Sequence, residues 1–110
     1  MPNHHAVRTF KAEFFKALAH PLRIHVLDAL RDGERSVGEL RDLLEVEMPN
    51  VSQQLSILRA KNLVVTRKDG NTVYYSVADP AVFRLLDVAK EIFGNQLVGV
   101  QGMLQTLSES

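Results

Sequence analysis

Between Pro49 and Asn62 the chain reads PNVSQQLSILRAKN, and its residue types divide by position. Val51, Leu55 and Leu58 fall at i, i+4 and i+7, the apolar stripe of a helix that must pack inward. Between them stand Asn50, Ser52, Gln53, Ser56 and Arg59, hydroxyls and amides with one guanidinium. Such groups donate to and accept from base edges and phosphates in a major groove. A merely solvated helix face would more often carry Glu and Lys. The chemistry offered is hydrogen-bonded recognition of nucleic acid rather than bond making. Ser52 has no histidine placed by sequence to act as its base, and no glycine-rich phosphate loop is present. Asp87 and Glu91, at i and i+4, read as a solvated pair, not an acid/base site. Catalysis is not expected.

Bulk properties narrow the classes further. At 110 residues the chain is expected to form one domain with a modest core, which a partner subunit would extend. It contains no cysteine, which excludes disulfides, thiolate metal sites and thiol chemistry together. No apolar run approaches the roughly 20 residues that span a bilayer, and the N-terminus lacks a signal peptide's apolar segment, so the expectation is a cytoplasmic protein. Net charge is zero, but it is unevenly spread. Arg59, Lys61, Arg67 and Lys68 against Asp69 alone leave residues 48–77 at +3, while residues 32–47 stand at −4. The positive charge coincides with the stretch that would need it to meet phosphate.

The surrounding elements must position that stretch. Residues 1–6 show no periodicity and read as a loose arm. Phe10, Phe14 and Leu18 then step through an amphipathic helix ending near His20-Pro21. Pro21 opens a second helix with Leu22, Ile24, Val26, Leu27 and Leu30, stopped by Asp32-Gly33. Ser36 with Glu39 three residues on is a capping-box pattern, starting a third helix that turns Val37, Leu40, Leu43 and Leu44 to the core. Pro49 suits the first position of the fourth, so residues 36–62 form a helix-turn-helix. Over residues 63–77 the period changes. Val64, Val65, Thr66, Val73, Tyr74 and Tyr75 are β-formers around Asp69-Gly70-Asn71, a hairpin signal flanked by Arg67 and Lys68. Asp79 and Pro80 then start a last helix, residues 79–108. Along it Phe83, Leu86, Phe93, Leu97, Val100, Leu104 and Leu107 form a near-heptad seam suited to pairing with a second copy. Gly94, Gly99 and Gly102 lie on or near the seam, so a bend or fraying after Gly94 is expected.

The fold class is therefore mostly α with a small β-hairpin, in the order α-α-α-α-β-β-α: a single winged helix-turn-helix domain over residues 1–110. FKALAHPLRIHVLDAL, SVGEL, MPNVSQQLSILRAKNLV and RKDGNTVYYSV, in this order and spacing, closely resemble the ArsR/SmtB family of bacterial repressors. The resemblance covers roughly residues 10–90. It implies a sequence-specific, homodimeric transcriptional repressor whose first and last helices form the interface, with Phe10, Phe14, Phe83, Leu86, Phe93, Leu97, Val100 and Leu104 in it. It also implies that the fourth helices read a pseudo-palindromic operator in double-stranded DNA. By position, Asn50, Ser52, Gln53, Gln54, Ser56 and Arg59 match the family's base- and phosphate-facing residues. Lys68, Gly70 and Asn71, beside Arg67, match the wing tip that reaches the backbone or minor groove.

The sensing residues of the family do not carry over. Where many members have a cysteine box on the third helix, this chain has GELRDLLE. Where others use Asp, His and Glu on the last helix, it has Asp79, Asp87 and Glu91 but no histidine beyond His25. Carboxylates alone suit hard cations rather than transition metals, so no metal or other cofactor is expected. His4-His5, with His20 or His25, could make a new metal site, but adjacent histidines in an arm have little fixed geometry. The phenylalanines could line a pocket for a small-molecule effector, although helical spacing favours ordinary packing. Arg59 could pair with Glu39 or Asp42 instead of DNA. A reading of a different class is a protein-interaction module docking through the last helix.

Overall fold

The computed structural model describes residues 3–109, the side chains of Leu97, Val98 and Glu109 excepted, so the seam position Leu97 lies outside the described side chains. The elements run α1 (His4–Leu18), α2 (Pro21–Ala29), β1 (Arg35–Ser36), α3 (Val37–Leu44), α4 (Met48–Ala60), β2 (Val64–Asp69), β3 (Thr72–Val77) and α5 (Ala81–Glu109). The chain divides into two compact units, one ending at Asp79 and one starting at Pro80.

In the first unit residues 4–6 of the expected arm are helical. Asn3 caps α1, its Oδ1 accepting the Ala6 N–H at 2.7 Å, so His4 and His5 already lie in the first turn. A polar cap, invisible to apolar periodicity, sets this start. Pro21 does open α2, behind an N-cap from His20 whose Nδ1 accepts the Leu22 N–H at 3.2 Å. The capping box forms as the sequence predicts: Ser36 Oγ accepts the Glu39 N–H and Glu39 Oε1 accepts the Ser36 N–H, both at 3.1 Å. Val26, Leu27, Leu40, Val51, Leu55 and Leu58 are fully buried and form the centre of the α2–α3–α4 core. Ile24 and Leu43, both expected inside, are exposed. Each sits on the outer side of a helix short enough that its buried stripe is narrow.

The hairpin is part of a larger sheet. Arg35 and Ser36 pair antiparallel with Tyr75 and Tyr74, giving three strands in the order β1-β3-β2. Two residues give no periodicity from which to read a strand. The β2–β3 register sets Asp69 opposite Thr72, so Gly70 and Asn71 form a two-residue turn, with Gly70 in the left-handed region at φ 61°.

The second unit is one helix. It begins at Ala81, two residues after the expected start at 79, and continues without interruption through Gly94, Gly99 and Gly102 to Glu109. The helix is therefore continuous past Gly94, since a glycine lowers helix stability without removing a hydrogen bond.

Candidate nucleic-acid interface

On α4 the buried stripe fixes which face remains outside. Val51, Leu55 and Leu58 are fully buried against α2 and α3. Asn50, Gln53, Ser56 and Arg59, at steps of three, are all exposed, and Ser52 is half-buried beside them. Among the described residues Arg59 pairs with neither carboxylate that competed for it: Glu39 Oε1 accepts within its capping box, and Asp42 accepts from Arg41 at 2.9 Å. Four polar side chains therefore lie free along one edge of a helix held rigidly from behind.

Gln54 is not among them. It is the one buried polar residue among those described, at 8% exposure, and its Oε1 accepts from Arg23 Nη1 at 3.2 Å. It directly follows Gln53, but a 100° rotation per residue turns it from the outer face to the inner. Its expected place on the reading surface is corrected to the core side of the helix.

The helix ends in a Schellman motif. The Leu63 N–H bonds to Leu58 O at 2.9 Å, the Asn62 N–H bonds to Arg59 O at 3.0 Å, and Asn62 takes φ 60°. Leu58 and Leu63, which flank the motif, are both buried. This compact stop sets where β2 departs from α4.

On the wing, strand alternation separates two basic side chains that adjoin in sequence. Lys68 points to the face of Val64 and Thr66, and Arg67 to the opposite one. Lys68, Gly70 and Asn71 are exposed at the tip. Arg67 is engaged elsewhere. Its Nε donates to Glu34 Oε2 at 3.0 Å and its Nη2 to Glu34 Oε1 at 2.5 Å, a bidentate pair. The guanidinium also lies 4.9 Å above the Tyr74 ring and 3.9 Å from Asp69 Oδ2. The Arg67 hydrogen bonds hold the Glu34 carboxyl below its ordinary range, and Glu34 in turn raises the Arg67 guanidinium. Arg67 thus closes a clasp across the central strand β3, an engagement that competes with its expected contact to phosphate. Glu34 could not have been found by local inspection, because its partner stands 33 positions away.

The residues expected in the dimer interface divide by exposure. Phe10 is 76% exposed and Phe14 half-buried on α1. On α5 Phe83 and Leu86 are half-buried, while Phe93, Val100 and Leu104 are exposed. Phe10 and Phe14 do not fill the core. With Lys61 and Asn62 they border an open groove of about 620 Å³ between α1 and the end of α4. Among the described residues no group of three or more His, Asp or Glu side chains is placed to hold a metal ion, and the His20 Nδ1 is used in capping. No helix among them is long and apolar enough to cross a membrane.

A helix-turn-helix domain family matches residues 18–67, from the end of α1 into the wing. Over 98 residues the chain is 45% identical to an HTH-type transcriptional regulator of Mycobacterium tuberculosis, covering 88% of this chain and 86% of that protein. The crystal structure of that regulator superposes with a TM-score of 0.76, covering 84% of this chain and 93% of the other. The chain belongs to the ArsR/SmtB family of winged helix-turn-helix transcriptional regulators. Within this family it is 39% identical over 82 residues to a biofilm growth-associated repressor of Agrobacterium fabrum, covering 74% of this chain and 70% of the repressor. It also resembles a homodimeric winged helix-turn-helix DNA-binding domain of Mycobacterium bovis at 29% identity and TM-score 0.78, covering 88% of this chain and 90% of that one. An ArsR/SmtB member is a DNA-binding regulator with a winged helix-turn-helix fold, and in this chain the β2–β3 hairpin is the wing.

Proposed function

We propose that this ArsR/SmtB regulator is a cytoplasmic, homodimeric repressor of transcription that binds a pseudo-palindromic operator, with no catalytic activity of its own. The observation that carries this reading is the exposed row of Asn50, Gln53, Ser56 and Arg59, backed by a fully buried apolar stripe. In the proposed complex Asn50, Ser52, Gln53 and Ser56 meet base edges and Arg59 meets base or phosphate. Lys68, Gly70 and Asn71 meet the backbone beside them. A glutamine pairs bidentately with adenine, which favours A·T pairs in each half-site.

Dimerisation through α1 and α5 accounts for apolar side chains left outside the described chain's own core: Phe10 on α1, and Phe93, Val100, Leu104 and Leu107 on α5. A stripe of this kind in water is the mark of an interaction surface. Two-fold symmetry would set the reading helices in successive major grooves, with half-sites about 34–36 Å apart. The homodimeric state of the Mycobacterium bovis relative supports the same assembly. A small molecule that relieves repression would act through its differential affinity for the free and DNA-bound conformations.

Selection of sheared genomic DNA by the purified protein at near-physiological salt, followed by sequencing, tests the reading. Enrichment of a short inverted repeat is expected. No enrichment at physiological or low salt, or a stable monomer by light scattering at micromolar concentration, would overturn it. The protein-interaction alternative would then take its place.

A further inference from the structure

Arg23 makes contacts that neither DNA binding nor dimerisation has used. It stands two residues after Pro21, in the first turn of α2, and its guanidinium reaches two other helices at once. On one side Nε donates to Ala17 O at 2.6 Å and Nη2 to Lys16 O at 3.4 Å, two carbonyls of the last turn of α1, the second of which also accepts the Ala19 N–H. The cation there also meets the negative end of the α1 dipole. On the other side Nη1 donates to Gln54 Oε1 at 3.2 Å, inside the reading helix. Gln54 is the buried polar residue whose neighbour Gln53 faces outward. Within the first unit the backbone of α1 otherwise approaches the other elements only sparsely.

We infer that Arg23 is a positioning residue for DNA recognition: through Gln54 it ties the orientation of the reading helix to the C-terminal end of α1. The inference rests on α4 being the reader. A planar guanidinium with donors on both sides holds its acceptors at fixed relative angles, which a flexible ammonium does not. Because Gln54 is adjacent to Gln53 on the same turn, a rotation of α4 that releases Gln54 swings Gln53 away from its base. The α1 end is thereby linked to base recognition. Any partner or ligand that moves α1 reaches α4 by this route, and DNA binding feeds back on α1 equally.

The test compares full-length wild type with Gln54→Leu, Gln54→Glu, Arg23→Gln and the double variant Arg23→Gln/Gln54→Leu. Each is titrated against the selected operator and an unrelated duplex across a salt series, with thermal melts alongside. Gln54→Leu fills the same buried volume without an acceptor. Operator affinity is expected to fall about tenfold, the loss brought by one mismatched base pair. Affinity for unrelated DNA and the salt slope should stay unchanged, since neither residue meets phosphate. Gln54→Glu keeps the acceptor and should retain operator affinity. The double variant should lose no more than the larger single loss, because both residues act through one bond.

Folded Gln54→Leu protein with wild-type operator affinity would overturn the inference. So would additive losses, or equal losses on both duplexes, the latter being the result of a purely structural role. A shallower salt slope for Arg23→Gln would instead make Arg23 a phosphate contact. Wild-type protein that selects no DNA would refute the reading of α4 itself, a result distinguishable from all of these.

Discussion

Replacing Glu34 by Gln tests the electrostatic account of the wing. In the wild type the Arg67 guanidinium gives both of its side-on donors to Glu34 and rests over Tyr74, an arrangement that would withhold it from DNA. Glutamine is nearly the same size but uncharged, and cannot hold a bidentate charge-assisted pair. The Arg67 and Glu34 side chains are 54% and 39% exposed, so the pair adds little to stability and the thermal midpoint should barely move. DNA binding should change more. A freed guanidinium that neutralises one phosphate steepens the slope of log affinity against log salt by about 0.9 per protomer, or about 1.8 for a dimer. Over a roughly fourfold rise in salt, that is a further loss of about twelvefold relative to wild type, with a matching gain at the low-salt end. Fluorescence anisotropy on an unrelated duplex reads the slope directly, and Arg67→Gln serves as the control that should leave it unaltered. If Glu34→Gln leaves the slope unchanged, or if Arg67→Gln alone flattens it, Arg67 is not withheld by Glu34 and the account fails. The pH dependence follows from the same pair. Glu34 is held below its ordinary value of 4.5 in the folded protein, so its contribution is complete above that value and is lost as the pH falls through the lowered one. The clasp therefore stays closed across the neutral range.

Other substitutions separate base contact, phosphate contact and scaffold. Gln53→Ala should lower discrimination between operator and unrelated DNA by about 1–3 kcal/mol with the salt slope intact, measured by competitive titration. Lys68→Ala should weaken binding to all sequences alike and flatten the slope by about 0.9 per protomer. Ser36→Ala removes half of the capping box and should cost about 1 kcal/mol, seen as a lower urea midpoint at constant m. Asn62→Ala places a Cβ-bearing residue without a compensating amide at φ 60° and should cost about 1 kcal/mol, whereas Asn62→Gly should be nearly neutral.

Much of this regulator was legible in its sequence, because the signals were local. Val51, Leu55 and Leu58 announce the buried side of α4 by spacing alone. Ser36 with Glu39 marks a helix start, and Asp69-Gly70-Asn71 a hairpin, through contacts spanning only a few residues. The family resemblance rested on the same stretches. What the tertiary structure decided are the pairings that join distant segments: Glu34 with Arg67, Arg23 with Gln54, and β1 with β3. Each depends on where folding brings a partner more than thirty positions away, and no periodicity records that. The type of a residue states which bonds it is able to make. Gln53 and Gln54 are the same residue side by side, and only the rotation of α4 against its core sends one outward and the other towards Arg23.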